Sequence, residues 1–348
     1  MDIKVNNKLI GENHPVFIIA ELSANHNQNY EVAVKTIKAA KEAGADAIKL
    51  QTYTADTLTI DCDNDYFKIK GGTLWDDKNL YQLYEGAYTP WEWHSELKKI
   101  AEDLGLVFFS TPFDNSAVDF LEELNVPLFK VASFEIKDLP LVEYIASKGK
   151  PVIISTGIAT LEDINEAVET CKKAGNNKII LLKCTSAYPT PLEDANLSVI
   201  PDLKKRFEVV SGLSDHTLGI SAPIAAVALG AKVIEKHLIL DKKLGGPDVE
   251  FSLEPHEFKE MVERVREVEK AVGKVTYELS EKVKTNKQFA RSLFVVEDIK
   301  SGELFTSENV RSIRPGYGME PKYIKEIIGK KAKIEIKRGT PLSFEMIS

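Results

Sequence analysis

The chain has 348 residues, 43% of them hydrophobic, and a formal net charge of −8. That length exceeds one ordinary domain and fits a barrel of about 250 residues with a small companion. The negative charge argues against a nucleic-acid or anionic-membrane surface, so any anionic ligand must be met by local positive charge.

Cys62, Cys171 and Cys184 are far apart and form no C-x-x-C, so they read as free thiols in a reducing cytoplasm. Asp2 and Lys4 follow Met1 where a signal peptide would carry a basic cap and an apolar core, so none is expected. No apolar run approaches the roughly 20 residues of a membrane span.

Residues 3–5 and 9–10 flank a turn at Asn6-Asn7 and predict a hairpin that plugs the floor of the fold. Eight short apolar, β-branched runs follow, at 16–20, 47–50, 107–110, 128–132, 152–155, 179–184, 208–213 and 232–237. Between them, helical apolar spacing appears at 31–43, 91–104, 117–124, 161–174 and 222–229, several stretches ending in a C-cap glycine such as Gly44 or Gly230. Strands alternating with helices imply parallel pairing, and closure after the eighth gives an α/β (β/α)8 TIM barrel. An open doubly wound sheet is the alternative, but no G-x-G-x-x-G follows the first run.

The connection from Thr52 to Pro90 is too long for a plain barrel loop and, with the start of the next helix, holds Trp75, Tyr81, Tyr84, Tyr88, Trp91 and Trp93. It reads as a lid over the barrel mouth. A helix at 255–272 ends the barrel domain, assigned to 1–273. A charged linker is expected at 274–290. A small module at 291–348 should carry strands at 293–296, 310–312 and 332–336.

Active sites of such barrels lie at the C-terminal strand ends. Here those ends carry Glu21, Lys49 and Gln51, Ser110 and Thr111, Lys130 to Glu135, Ser155, Thr185 to Tyr188, Ser214 to His216, and Glu235 to His237. Alternation puts Lys49 with Gln51, Ser214 with His216, and Glu235 with His237 on shared faces. Lys130 has the opposite parity to Ser133 and Glu135, so a bulge or a strand end must intervene.

His216 and His237 end adjacent strands, where two imidazoles can close on one cation with carboxylates and water. The alternative is a hydrogen-bonded structural role for each. Lys49 and Lys130 sit where a lysine fits a packed layer poorly. They read as an anion clamp supported by the hydroxyls of Thr111, Ser133, Ser155, Ser186 and Ser214. The alternative is a structural ion pair such as Lys49 with Glu21.

At these residues the chain resembles the sialic acid synthase family. The segments are Ala20-Glu21 with Asn25-His26, Lys49-Leu50-Gln51-Thr52, Ser110-Thr111-Pro112-Phe113, and Lys130-Val131-Ala132-Ser133 with Glu135. They continue through Ser155-Thr156-Gly157, Cys184-Thr185 with Tyr188-Pro189, Ser214-Asp215-His216-Thr217, Glu235-Lys236-His237 and Gly246-Pro247-Asp248. The tail, with Arg314-Pro315-Gly316 and Gly318, resembles the antifreeze-like SAF module of these enzymes.

The resemblance implies a transferase that joins phosphoenolpyruvate to an amino-sugar aldehyde, releasing phosphate by C–O cleavage. It implies Lys130, Thr111, Ser133, Ser155 and Ser214 for phosphoenolpyruvate. Ser186 stands where N-acetylneuraminate synthases carry an asparagine. It implies His216 and His237 for a divalent metal, typically manganese, with magnesium or cobalt as the other candidates. Gln51, Glu135, Tyr188 and Asp248 would hold the sugar, and Glu21 and Lys49 would flank the reacting carbons.

In this family's homodimer, Arg314 would arrive from the partner's tail, and the charged segment 274–287 is long enough to cross an interface. A surface arginine acting in neither site is the alternative.

Within the family, residues 21–28 and the aromatic insert resemble the pseudaminic acid synthases, whose substrate is a 6-deoxy diacetamido sugar. An aromatic lid suits its methyl and acetamido groups. The alternatives are an N-acetylneuraminate or legionaminate synthase and, from another class, a non-catalytic sugar-binding protein.

Overall fold

The chain opens on an antiparallel hairpin, β1 (Ile3–Val5) and β2 (Lys8–Ile10). Eight parallel strands follow: β3 (Phe17–Glu21), β4 (Ala47–Thr52), β5 (Val107–Pro112), β6 (Phe129–Val131), β7 (Val152–Ser155), β8 (Ile179–Lys183), β9 (Val210–Asp215) and β10 (Val233–His237). Each pairs with its neighbour in sequence and β10 pairs with β3, closing the expected barrel. The computed structural model describes residues 2–70, 76 and 79–348. It divides into two units, Met1–Gly273 and Lys274–Ser348.

Every expected barrel run is a strand, with ends shifted by at most two residues. The extensions at the C-terminal ends have one cause. Apolar residues marked the runs, whereas pairing continues onto the polar residues Glu21, Gln51, Thr111 and Ser214.

Side-chain alternation then separates two apolar layers. Phe17, Ile19, Ala47, Val107, Phe109, Leu128, Ile153, Ile180, Leu182, Val210 and Val233 point inward. Ile3, Val5 and Ile10 of the hairpin join that cluster, which is the expected floor plug. Residues of the other parity, such as Ile18, Ile48, Phe108, Ile154 and Ile234, pack outward against the helices. Burial of each such side chain stabilises by about 1.5–3 kcal/mol.

The helix Tyr30–Glu42 shows how local chemistry sets the frame. Asn29 caps it by accepting from Val32 N–H, and Gly44 follows at φ +91°. The barrel helices Leu139–Ser147 and Val199–Phe207 add to the stretches named from sequence. Each carries a proline in its first turn, Pro140 and Pro201, where no intrahelical N–H bond is lost.

In the second unit, β11 (Ser292–Val295) and β12 (Val310–Ile313) pair antiparallel over a core that includes Leu293, Val295, Phe305 and Ile327. The strand expected at 332–336 is not continuous. Only isolated bridges occur, Ala332 to Ile347 and Ile299 to Ile336, and Ile334 between them is exposed. Within the segment expected as linker, Ser280 caps a one-turn helix, Glu281–Thr285.

Candidate active site

Above the inward apolar layer, the same alternation continues with polar side chains. Glu21 follows Ile19, Lys49 and Gln51 follow Ala47, Thr111 follows Phe109, and Ser155 follows Ile153. Ser214 lies two places after Gly212, and Glu235 and His237 follow Val233. All of these polar side chains but Thr111 line a cavity of about 440 Å³, within the range of small-molecule sites.

Two lysines and two glutamates form its base, all buried. Lys49 Nζ lies 2.9 Å from Glu21 Oε2 and 3.7 Å from Glu235 Oε1. Lys130 Nζ lies 3.7 Å from the same Glu235 oxygen and donates to Ser155 Oγ at 2.7 Å. Ser214 donates to Glu235 Oε1 at 3.0 Å, Lys49 donates to Thr111 Oγ1 at 3.3 Å, and Gln51 donates to Glu21 Oε1 at 3.1 Å. The structural alternative of a Lys49–Glu21 pair is therefore present, in a group that also lines the cavity.

The two carboxylates differ in charge state. Burial would push Glu235 up, but Lys130 and Lys49 outweigh it and hold the group below the usual range. Burial raises Glu21 to about 7; Lys49 opposes the rise and the Glu235 charge adds to it. Burial would lower Lys49, yet Glu21 and Glu235 hold it above its usual range, while burial keeps Lys130 below its own. Lys130 and Lys49 thus favour an ionised Glu235, while burial lets Glu21 exchange a proton near neutral pH.

β6 ends at Val131, and a 3-10 turn at Glu135–Lys137 re-aims the chain, so Lys130, Ser133 and Glu135 all line the cavity despite their parity. Ser186 lies behind this lining and donates to Ser133 Oγ at 2.9 Å. Gly157 completes a close-packed cradle: a Cβ there would stand 2.3 Å from Ser133 Oγ and 2.2 Å from Ser186 Oγ. Thr111 also stands behind the lining, reached through Lys49.

His216 and His237 have ring centroids 5.3 Å apart and pack on Phe251 at 5.6 and 4.8 Å. Burial lowers His216 to about 4 and, joined by its neighbour His216, takes His237 well below its usual value. Both rings are therefore neutral, the form that binds a metal. His216 Nδ1 lies 3.3 Å from the Thr185 carbonyl, which as acceptor leaves Nε2 with its lone pair. His237 Nδ1 is buried with no hydrogen bond, 3.7 Å from Asp248 Oδ2. Among the described residues, no three His, Cys, Asp or Glu side chains converge as a cage. Two neutral imidazoles facing one cavity suit an ion whose remaining ligands are water and substrate.

Gln51, Glu135, Tyr188 and Asp248 also line the cavity. Burial raises Glu135 to about 7, and burial likewise raises Asp248. Tyr188 meets His216 edge to face, with ring centroids 4.6 Å apart. Arg314 lies in the second unit, just after β12.

The aromatic insert departs from expectation. Of its described aromatics Tyr53 and Tyr84 line the cavity, with Leu58, Ile69, Leu80 and Leu83 supplying an apolar wall. Trp91 instead donates to the Tyr53 carbonyl at 3.0 Å and stacks on Phe120, and Trp93 packs on His26 and Tyr30. They pin the connection to the barrel. Trp75 lies outside the described residues.

Among the cavity residues given no role from sequence are Glu235, Cys184 and Phe251. Strand parity with His237 marks Glu235, and parity with Leu182 marks Cys184. Phe251 sits in a loop where no periodicity could point to it.

A closed parallel barrel whose strand ends hold two lysines, two neutral histidines and a row of hydroxyls defines a small-molecule synthase class. The sequence matches the NeuB family over residues 36–277 and the SAF domain over residues 290–348, and the chain belongs to the NeuB family. It is 53% identical to the pseudaminic acid synthase of Campylobacter jejuni subsp. jejuni over 94% of this chain and 95% of that one. It is 48% identical to the pseudaminic acid synthase of Helicobacter pylori, covering 96% and 98%. Among solved structures, the N-acetylneuraminic acid synthetase of Leptospira borgpetersenii, in complex with citrate, matches at 35% identity and TM-score 0.74, covering 82% of this chain and 95% of that one.

Proposed function

We propose that the chain condenses phosphoenolpyruvate with 2,4-diacetamido-2,4,6-trideoxy-L-altrose, giving pseudaminic acid and phosphate. The observation that carries this reading is one cavity with two unlike ends: Lys49 and Lys130 at its base, and Leu58, Ile69, Leu80, Leu83 and Tyr84 along its wall. The first suits a small, highly charged anion. The second suits a sugar whose deoxy methyl and acetamido groups present apolar area. Identity of 53% and 48% to pseudaminic acid synthases, against 35% to an N-acetylneuraminic acid synthetase, favours the same sugar.

In this reading Lys130, Ser155, Ser133 and Ser214 hold phosphoenolpyruvate, with Lys49, Thr111 and Ser186 supporting them. Gln51, Glu135, Tyr188 and Asp248 orient the aldehyde so that carbon 3 of phosphoenolpyruvate attacks it. Water then adds at carbon 2, and phosphate leaves with the oxygen that bridged it to carbon. Glu21, buried beside Lys49, takes the proton of that water. A divalent cation held by His216 and His237, manganese first among the candidates, would supply Lewis-acid polarisation of the aldehyde.

We further propose a cytoplasmic homodimer in which Arg314 serves the partner's site. Three free cysteines fit a reducing compartment, and among the described residues no helix is long and apolar enough to cross a membrane. Phosphate release with a panel of diacetamido and monoacetamido hexoses tests the function. Release with none of them would favour a non-catalytic sugar-binding protein.

A further inference from the structure

Asp215 and Lys236 immediately precede His216 and His237, and neither lines the cavity. Their parity places them with Leu213, Ile234 and Leu238 in the apolar layer between barrel and helices. They are paired across β9 and β10 in register. Lys236 Nζ donates to Asp215 Oδ2 at 2.6 Å and also to the Thr217 carbonyl. The other carboxylate oxygen, Oδ1, accepts from Thr217 N–H at 3.0 Å. The His216 carbonyl between them accepts from Thr190 N–H at 2.9 Å.

A fully buried ion pair is a poor source of stability, because desolvation offsets its attraction and apolar residues of similar volume often serve as well. Here every polar contact ends on a residue that brackets His216 or adjoins His237. Asp215 closes a turn around His216, and Lys236 ties both ends of that turn to the strand that carries His237.

We infer that the Asp215–Lys236 pair is a clasp that sets the spacing and orientation of the two histidines, and thereby the affinity of their site for a divalent cation. Both are positioning residues. The inference rests on the metal-site reading above.

The test titrates Mn2+ alone into chelator-stripped, substrate-free protein, following free Mn2+ by its electron paramagnetic resonance signal. Wild type is compared with His237→Ala, Asp215→Asn, Lys236→Met and the double variant Asp215→Asn/Lys236→Met. Wild type should bind and His237→Ala should not. The clasp variants should bind about 10–100-fold more weakly, as outer-shell changes do. The double variant should melt near wild type, since no charge is left buried without a partner. It keeps the test open if Lys236→Met alone fails to fold.

Equal Mn2+ binding by wild type and His237→Ala, or none by wild type, would overturn the metal-site reading itself. Binding lost in His237→Ala but undiminished in the folded double variant and in Asp215→Asn would overturn the clasp alone. Lower melting temperatures with unchanged affinity would make the pair a stabilising contact only.

Discussion

Replacement of Lys130 by methionine tests the anion clamp and the buried charge group together. Lys130 is 2% exposed, and its ammonium reaches Ser155 Oγ, the Val131 carbonyl and, at 3.7 Å, Glu235 Oε1. Methionine keeps most of the stem volume and removes the charge. A hydrogen bond to a charged group contributes about 1.5–3 kcal/mol. Glu235 would also keep only one of its two ammonium partners, which leaves it a stronger competitor for Lys49. Together about 3–4 kcal/mol of anion binding is lost, or roughly a 10²–10³-fold fall in kcat/KM for phosphoenolpyruvate. The contact exists before the transition state, so most of the loss should fall on KM. With Lys130 gone, Glu21 and Glu235 share Lys49 alone, so the melting temperature should fall at neutral pH. Phosphate release with each substrate varied in turn, beside a thermal melt, reads both effects. An unchanged phosphoenolpyruvate KM, or a loss confined to the sugar's KM, would refute the reasoning.

Glu135, raised by burial to about 7, gives a stability test with a defined sign. The folded state holds the proton more tightly, so this group's contribution is complete below about pH 4.5 and is lost as pH rises through about 7. Glu135→Gln should therefore be more stable than wild type near pH 8 by about 2–3 kcal/mol, with the gap closing towards about pH 5 in urea titrations. A gap that widens towards acid would reverse the argument. Gly157→Ala would force the Ser133 and Ser186 hydroxyls aside, and we expect about a tenfold or larger rise in KM for phosphoenolpyruvate with no change for the sugar. Co-expression of Arg314→Ala with His237→Ala, each inactive alone, should restore roughly a quarter of wild-type sites in mixed dimers if the arginine crosses the interface. No recovery in purified mixed dimers would reject the crossing.

Much of this site was legible because strand alternation continues unbroken from the apolar layer into the polar one. Phe17, Ile19 and Glu21 form one such column, and Val233, Glu235 and His237 another. What spacing could not supply was the join where alternation stops. Lys130, Ser133 and Glu135 share the cavity only because β6 ends at Val131. Nor could it weigh Glu235, whose charge makes sense only once two lysines are seen to share one of its oxygens. The aromatic insert misled for a physical reason. Tryptophans bury large area wherever they land, and Trp91 and Trp93 spend it pinning the connection, while Tyr53 and Tyr84 join aliphatic residues on the cavity wall. Arg314 was singled out by a motif in the tail, outside the periodic logic of the barrel.

The central claim is the sugar, and the most direct measurement is kcat/KM for phosphate release with two aldehydes under the same conditions, the products identified by mass. We predict turnover of 2,4-diacetamido-2,4,6-trideoxy-L-altrose to a nine-carbon acid. Preference over N-acetylmannosamine should be about 10–100-fold, the scale of apolar discrimination in a pocket of this kind. Equal efficiency on N-acetylmannosamine would contradict the account, and so would phosphate release that yields no nine-carbon acid from the diacetamido sugar.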